Sequence, residues 1–205
     1  MRGSKVAGPY ASAGAKASGA GPAPDALAGT RLPHLASPAA ALRQVLAAHA
    51  VRNCADIIEI GGAGLPITGF ITHHPASVTV IDPKIPAYEA DTLNGLPCRL
   101  RHLAAKLQEV EIAPAGPYAL VLLGLSLKPY GRHAATPPEL LALAAGAAVL
   151  VIDYALDLER AQGQIGALTE TRTDAPAIDL SLTIHDEALR AAGFDRRRFL
   201  AYGAA

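Results

Sequence analysis

Apolar positions in this chain gather into short aliphatic runs separated by polar stretches, and the pattern sets in only after residue 36. Ser37 stands as an N-cap before Pro38. Leu42, Val45, Leu46 and His49 then recur on one stripe, which predicts an amphipathic helix ending near Asn53. Strands are predicted at Asp56 to Ile60, Val78 to Ile81, Cys98 to Leu103, Tyr118 to Leu125, Ala147 to Ile152 and Arg197 to Tyr202. Helices are predicted at Pro137 to Ala145, Asp157 to Leu168 and Asp186 to Ala192, the last closed by Gly193, while residues 171–183 read both ways. Short strands alternating with helices predict a mostly parallel α/β sheet, and no repeat of fixed period is present.

Composition changes the picture at the amino end. Of residues 1–30, 21 are Ala, Gly, Ser or Pro, which bury too little apolar surface to offset the entropy of ordering. Residues 1–36 are therefore expected to be a flexible segment, and over a pocket they would serve as a lid; residues 37–205 form one domain. No leucine-rich run follows Arg2 and Lys5, so no secretory leader is expected. The longest apolar run, Leu140 to Ile152, has 13 residues, short of the roughly 20 that a membrane helix needs. Eighteen basic residues balance 18 acidic ones without a basic run, so electrostatic capture of nucleic acid or an anionic membrane is not indicated. Cys54 and Cys98 lie outside any CxxC pair, which fits a reduced cytoplasm and supplies no zinc site. With 44 alanines and no tryptophan, the core must be built from small aliphatic side chains, and the tyrosines stand out.

The strongest local signal is a strand, Ile57-Ile58-Glu59-Ile60, running into Gly61-Gly62-Ala63-Gly64 and then Leu65-Pro66-Ile67-Thr68, with a second strand ending at Ile81-Asp82. A strand, a glycine turn, a helix start and an acid about 20 residues on make the nucleotide-binding half of a Rossmann-like fold. Glycines let a ligand approach the backbone amides, and a carboxylate at the tip of the second strand accepts both hydroxyls of a ribose. A tight turn that merely needs small residues is the other reading, and the position of Asp82 weighs against it. The spacing is not GxGxxG, and Glu59 beside the turn would repel a pyrophosphate, so a zwitterionic or cationic ligand is favoured.

These residues resemble the first motif and the second-strand acid of the class I S-adenosyl-L-methionine (SAM)-dependent methyltransferases, over roughly residues 54–202. The resemblance implies a Rossmann-like three-layer sandwich, here with a short N-terminal helical extension. It implies that Gly61, Gly62, Ala63 and Gly64 pack against the methionine part of SAM, that Glu59 sits near its ammonium, and that Asp82 with Pro83 holds the ribose. Leu103, Gly124 and Leu125, at later strand ends, would line the rest of the cofactor site, while Leu100-Arg101-His102-Leu103 assigns no adenine contact. Leu65 departs from the usual small residue. The string from Gly61 to Thr68 looks more like the Gly-rich, Leu-Pro-aliphatic-Thr segment of nicotianamine synthases and related metallophore synthases. Those enzymes transfer the 3-amino-3-carboxypropyl group of SAM and leave methylthioadenosine.

A sulfonium activates three carbons, and an enzyme selects one by holding a nucleophile in line with it, without a metal. Many amine methyltransferases of this fold carry an acid or an Asn-Pro-Pro-aromatic motif after the fourth strand. This chain instead reads Leu123-Gly124-Leu125-Ser126-Leu127-Lys128-Pro129-Tyr130, with no carboxylate. Ser126 and Tyr130 become the polar groups expected nearest the sulfonium, against the plain readings of a turn hydroxyl and a loop tyrosine. Tyr10 and Tyr88 would cap the pocket if the amino-terminal segment folds over it. Once the Rossmann domain is laid out, only residues 1–53 remain for an acceptor site, so the acceptor is expected to be small or absent. With none, the α-amine of SAM attacks its own γ carbon and closes to azetidine-2-carboxylate, which requires a deprotonated amine among neutral acceptors. The preferred reading is thus a cytoplasmic enzyme of secondary metabolism acting on the aminocarboxypropyl group. The alternatives are a small-molecule methyltransferase, a noncatalytic cofactor-binding partner subunit and an NAD-type Rossmann protein.

Other positions carry less. Asp153 and Tyr154 end the fifth predicted strand, either on the ligand edge or as a strand-ending acid and a packing tyrosine. His73-His74 lacks the spacing of a metal pair and is expected to end the first crossover helix. His133 reads as a general base or a plain loop residue, and Arg196-Arg197-Arg198 as a solvated strand end. Methyltransferases of this fold finish with a sixth strand and an antiparallel seventh, yet only one strand follows Phe194. Either the seventh is missing or residues 171–183 supply an irregular edge, and a bared edge would invite a homodimer.

Overall fold

A computed structural model of the chain describes residues 38–61, 65–123, 136–156, 159–183 and 196–203. Its strands are β1 (Asp56–Gly61), β2 (Ser77–Ile81), β3 (Tyr88–Leu93), β4 (Leu96–Leu103), β5 (Ala119–Leu123), β6 (Val149–Ala155), β7 (Ile178–Thr183) and β8 (Arg196–Tyr202). They form one sheet in the order β3-β4-β2-β1-β5-β6-β8-β7. The inner strands β4, β2, β1, β5 and β6 are parallel. β3 pairs antiparallel with β4, β8 with β6, and β7 with β8.

Buried on both faces, the inner strands read as continuous apolar runs whose alternate residues serve different layers. Ile58, Ile60, Leu120, Leu122, Leu150 and Ile152 pack with α2 (Pro138–Gly146) and α3 (Glu159–Thr169). Ile57, Val78, Val80, Val121, Val149 and Val151 pack with Ala47, Ala48 and Ala50 of α1 (Pro38–Ala50). The result is a three-layer α/β/α arrangement, as expected. No helix among the described residues is long and apolar enough to cross a membrane.

Several expectations are corrected. Helix α1 does not bury its Leu42, Val45 and His49 stripe: Leu42 is 48% and Val45 50% exposed, and the buried face carries Arg43, Gln44 and small alanines. Alanines let the helix lie close to the sheet, and the two polar side chains meet buried acids there. The first crossover has no helix in residues 65–76, only a 3-10 turn at Ile67–Gly69. Pro66, Gly69 and Pro75 interrupt helical hydrogen bonding, and Ile67, Thr68, Ile71 and Thr72 are β-branched. His73 therefore ends no helix; its Nε2 lies 3.1 Å from the Cys54 carbonyl.

The next crossover brings an unanticipated strand, β3, turned onto β4 by Asn94 (φ 53°) and Gly95 (φ 78°). Two consecutive positive φ angles are what a two-residue Asn-Gly hairpin requires. At the carboxy terminus the antiparallel seventh strand of the fold is present as β8. The ambiguous stretch supplies β7, the sixth strand of that fold, at the sheet edge. The helix expected at Asp186 to Ala192 lies outside the described residues.

Candidate active site

In open α/β sheets ligands bind beyond the carboxyl ends of the parallel strands, so the ends of β1, β2 and β4 define the place to look. β1 ends at Gly61, whose φ of 86° suits a residue without a Cβ. Two residues earlier Glu59 points toward α1 and is fully buried. Its Oε1 accepts a hydrogen bond from Gln44 Nε2 at 2.9 Å and its Oε2 one from the Ile67 backbone N–H at 2.8 Å. Burial pushes this carboxyl up to about 8; the two hydrogen bonds work against that shift and the charge of Asp82 adds to it. Burial thus favours the protonated form of Glu59 far more than in an ordinary carboxyl.

Asp82 follows β2 and is also buried. Its backbone N–H donates to the Leu103 carbonyl at 3.1 Å, tying the end of β2 to the end of β4, and its Oδ1 accepts from the Lys84 N–H at 2.8 Å. Pro83 is exposed, and Leu103 is half-buried against the α2 and α3 layer. On the α1 side of β4, His102 is buried, with Nε2 3.3 Å from Thr68 Oγ1 and its ring 5.6 Å from that of Tyr88, its cross-strand partner. Burial lowers the His102 pKa and favours the neutral imidazole.

The structure thus brings Glu59, Gly61, Asp82 and Leu103 to one end of the sheet and places Tyr88 against His102 on β3. The residues Gly62, Ala63, Gly64, Gly124, Leu125, Ser126, Tyr130, Tyr10 and His133, named from the sequence, lie outside the described residues. Three side chains escaped the sequence reading. His102 and Thr68 carried a weak signal, standing at a strand end and after the glycine turn. Gln44 carried only its place as a polar residue in an alanine-rich helix. Its amide orientation is fixed, because Nε2 faces two acceptors, Glu59 Oε1 and the Leu65 carbonyl, while Oε1 is buried without a hydrogen-bond partner.

Other candidates have structural explanations. Asp153 is fully buried and receives Arg197 through Nε and Nη2 at 2.8 and 2.9 Å and Arg43 through Nη1 at 2.8 Å. Burial raises its pKa, but the two guanidiniums outweigh that and hold the carboxyl below its usual range. Arg197 is therefore no solvated strand end; Arg198, half-exposed, pairs with Asp179. Tyr154 is buried in the α2 and α3 layer. No group of three metal-ligating side chains occurs among the described residues. A surface groove of about 480 Å³ along the β3-β4 hairpin, lined by Glu89, Asp91, Arg99 and Arg101, includes none of the buried polar groups above.

An amide oxygen, a neutral imidazole and the oxygens of two acids at one sheet end can accept from hydroxyl and amine donors, and the charge of Asp82 would repel phosphate oxygens. That donor set fits SAM. The parallel core β4-β2-β1-β5-β6, followed by β8 reversed between β6 and β7, defines a Rossmann-like fold of the class I methyltransferase type. Among solved structures the fold is similar to that of the N-methyltransferase NodS from Bradyrhizobium japonicum WM9, at 13% sequence identity and a TM-score of 0.50, over 82% of this chain and 97% of that one. No protein-family model and no curated protein sequence matches the chain.

Proposed function

We propose that the protein binds SAM beyond the ends of β1, β2 and β4 and acts on its 3-amino-3-carboxypropyl group. It closes that group to azetidine-2-carboxylate or passes it to a small amine, and methylthioadenosine is released. The observation that carries this reading is the state of Glu59. Burial pushes its carboxyl up to about 8 and both its oxygens already receive a donor, so it is a poorer counter-ion for an ammonium than an ordinary carboxylate. An amine in such surroundings gives up its proton more readily than one facing a carboxylate. The ammonium proton leaves to solvent, the freed lone pair attacks the γ carbon, and the carbon–sulfur bond breaks with its electron pair going to sulfur, leaving neutral methylthioadenosine and the ring ammonium of azetidine-2-carboxylate. Asp82, Pro83 and Gly61 hold the ribose and methionine portions in this reading. Ser126 and Tyr130 face the sulfonium, and Tyr88 and Tyr10 close the pocket.

A second reading, methyl transfer to a small acceptor, draws on the fold likeness to an N-methyltransferase. Products separate the two. Incubation of the purified protein with SAM alone should give methylthioadenosine and azetidine-2-carboxylate in equal amounts by mass spectrometry. S-adenosylhomocysteine formed only on addition of an acceptor would replace the first reading with the second. Binding without turnover would leave a noncatalytic cofactor-binding subunit.

A further inference from the structure

Gln44 stands on a helix that precedes the glycine-turn motif, so neither that motif nor the strand-end acids assign it a role. Yet it is 1% exposed, and its nitrogen is committed to Glu59 and to the Leu65 carbonyl beside the turn. Its oxygen is left as a buried acceptor with no partner. A buried acceptor without a donor is destabilising, and a ligand donor would recover that cost. The neighbouring carboxyl already receives one donor on each of its oxygens.

We propose that Gln44 Oε1 is the acceptor for the α-amino group of the bound sulfonium amino acid, so that helix α1 supplies part of the ligand site. This rests on the SAM-binding reading above and deepens it. An amide oxygen is neutral and accepts from an ammonium or from a free amine alike. It therefore holds the nitrogen in place before and after the proton is lost, whereas a carboxylate would favour the charged form and resist that loss. The two donations from Gln44 Nε2 fix where the oxygen lies, and α1 is itself pinned to the sheet one residue earlier by Arg43 and Asp153.

The test is a binding cycle by calorimetry with the full chain and two ligands, S-adenosylhomocysteine and its deaminated analogue, which lacks only the α-amino group. Wild type should bind the deaminated compound roughly 10- to 100-fold more weakly, the worth of a hydrogen bond to a charged group. Gln44→Met should lose that discrimination and bind both with similar, weak affinity. Gln44→Asn, which retracts the amide by one methylene, serves as the second variant if the first does not fold, and should lose it as well. Discrimination kept by the folded variants would overturn the assignment of Gln44 and leave the functional reading intact. Equal binding of the two ligands by wild type would likewise overturn it. If wild type bound neither ligand, nor SAM, the functional reading itself would fall, and this assignment with it.

Discussion

A carboxyl with no charged partner should make itself felt in the pH dependence of stability. Glu59 titrates near 4.5 when unfolded and at about 8 in the folded chain, so between these values the native state holds a proton that the unfolded state has lost. Its contribution to stability is full below pH 4.5 and is lost as pH rises toward 8, with a slope of up to about 1.4 kcal/mol per pH unit. His102 acts in the opposite sense, since its lowered pKa costs stability as pH falls below 6.5. The difference between wild type and Glu59→Gln isolates the carboxyl. Urea unfolding at several pH values should show that difference shrinking as pH rises, and a pH-independent difference would mean that Glu59 is ionised in the folded protein. At this scale the sequence exposed the two acids, because they stand at fixed offsets from a glycine turn. It did not expose Gln44 or His102, which owe their position to what a helix and a strand meet across the fold.

Elements were legible wherever the local chemistry was decisive. The aliphatic runs of β1, β5 and β6 left little choice, and helices α2 and α3 fell within two residues of their expected ends. The Asn94-Gly95 hairpin was equally legible and was overlooked, while the first crossover was read as a helix against its own prolines and β-branched residues. Turn glycines give this scale its prediction. Gly95 has a φ of 78° with no atom within 4 Å of an added Cβ, so Gly95→Ala should cost only the backbone term, about 1–2 kcal/mol. Gly203 has a φ of 62°, and an added Cβ would also collide with the Ala148 carbonyl oxygen. Gly203→Ala should therefore cost clearly more, about 3 kcal/mol or above, by urea midpoint at constant m. Equal costs at the two sites would show that the backbone at Gly203 yields freely.

The whole molecule depends on how α1 is attached, and no periodicity in the sequence foretold it. Leu42, Val45 and His49 of that helix face outward while Leu46 packs partly against the core, and the sheet is met mainly by alanines and by two polar residues, each reaching a buried acid. Asp153 joins three elements at once, since Arg43 comes from α1 and Arg197 from β8 while the acid itself lies on β6. Desolvating three charges is expensive, and such a cluster is tolerated only while its members satisfy one another. Asp153→Asn keeps the shape and removes the charge, leaving two guanidiniums buried against a neutral amide, so it should cost about 3–5 kcal/mol. A domain of this kind has only about 5–15 kcal/mol in total, so the variant should sit near the edge of folding, and on the proposed assignment of Gln44, which rides on the same helix, SAM binding should weaken with it. Acid should mimic the substitution. The carboxyl is held below its ordinary 3.8, so the stability it confers is present above that value and lost as pH falls through the lower folded pKa. Denaturant titrations at pH 7 and below pH 4 should show wild type converging on Asp153→Asn in acid. If the two proteins had the same midpoint at pH 7, the other contacts of Arg43 and Arg197 would be enough to hold α1 against the sheet.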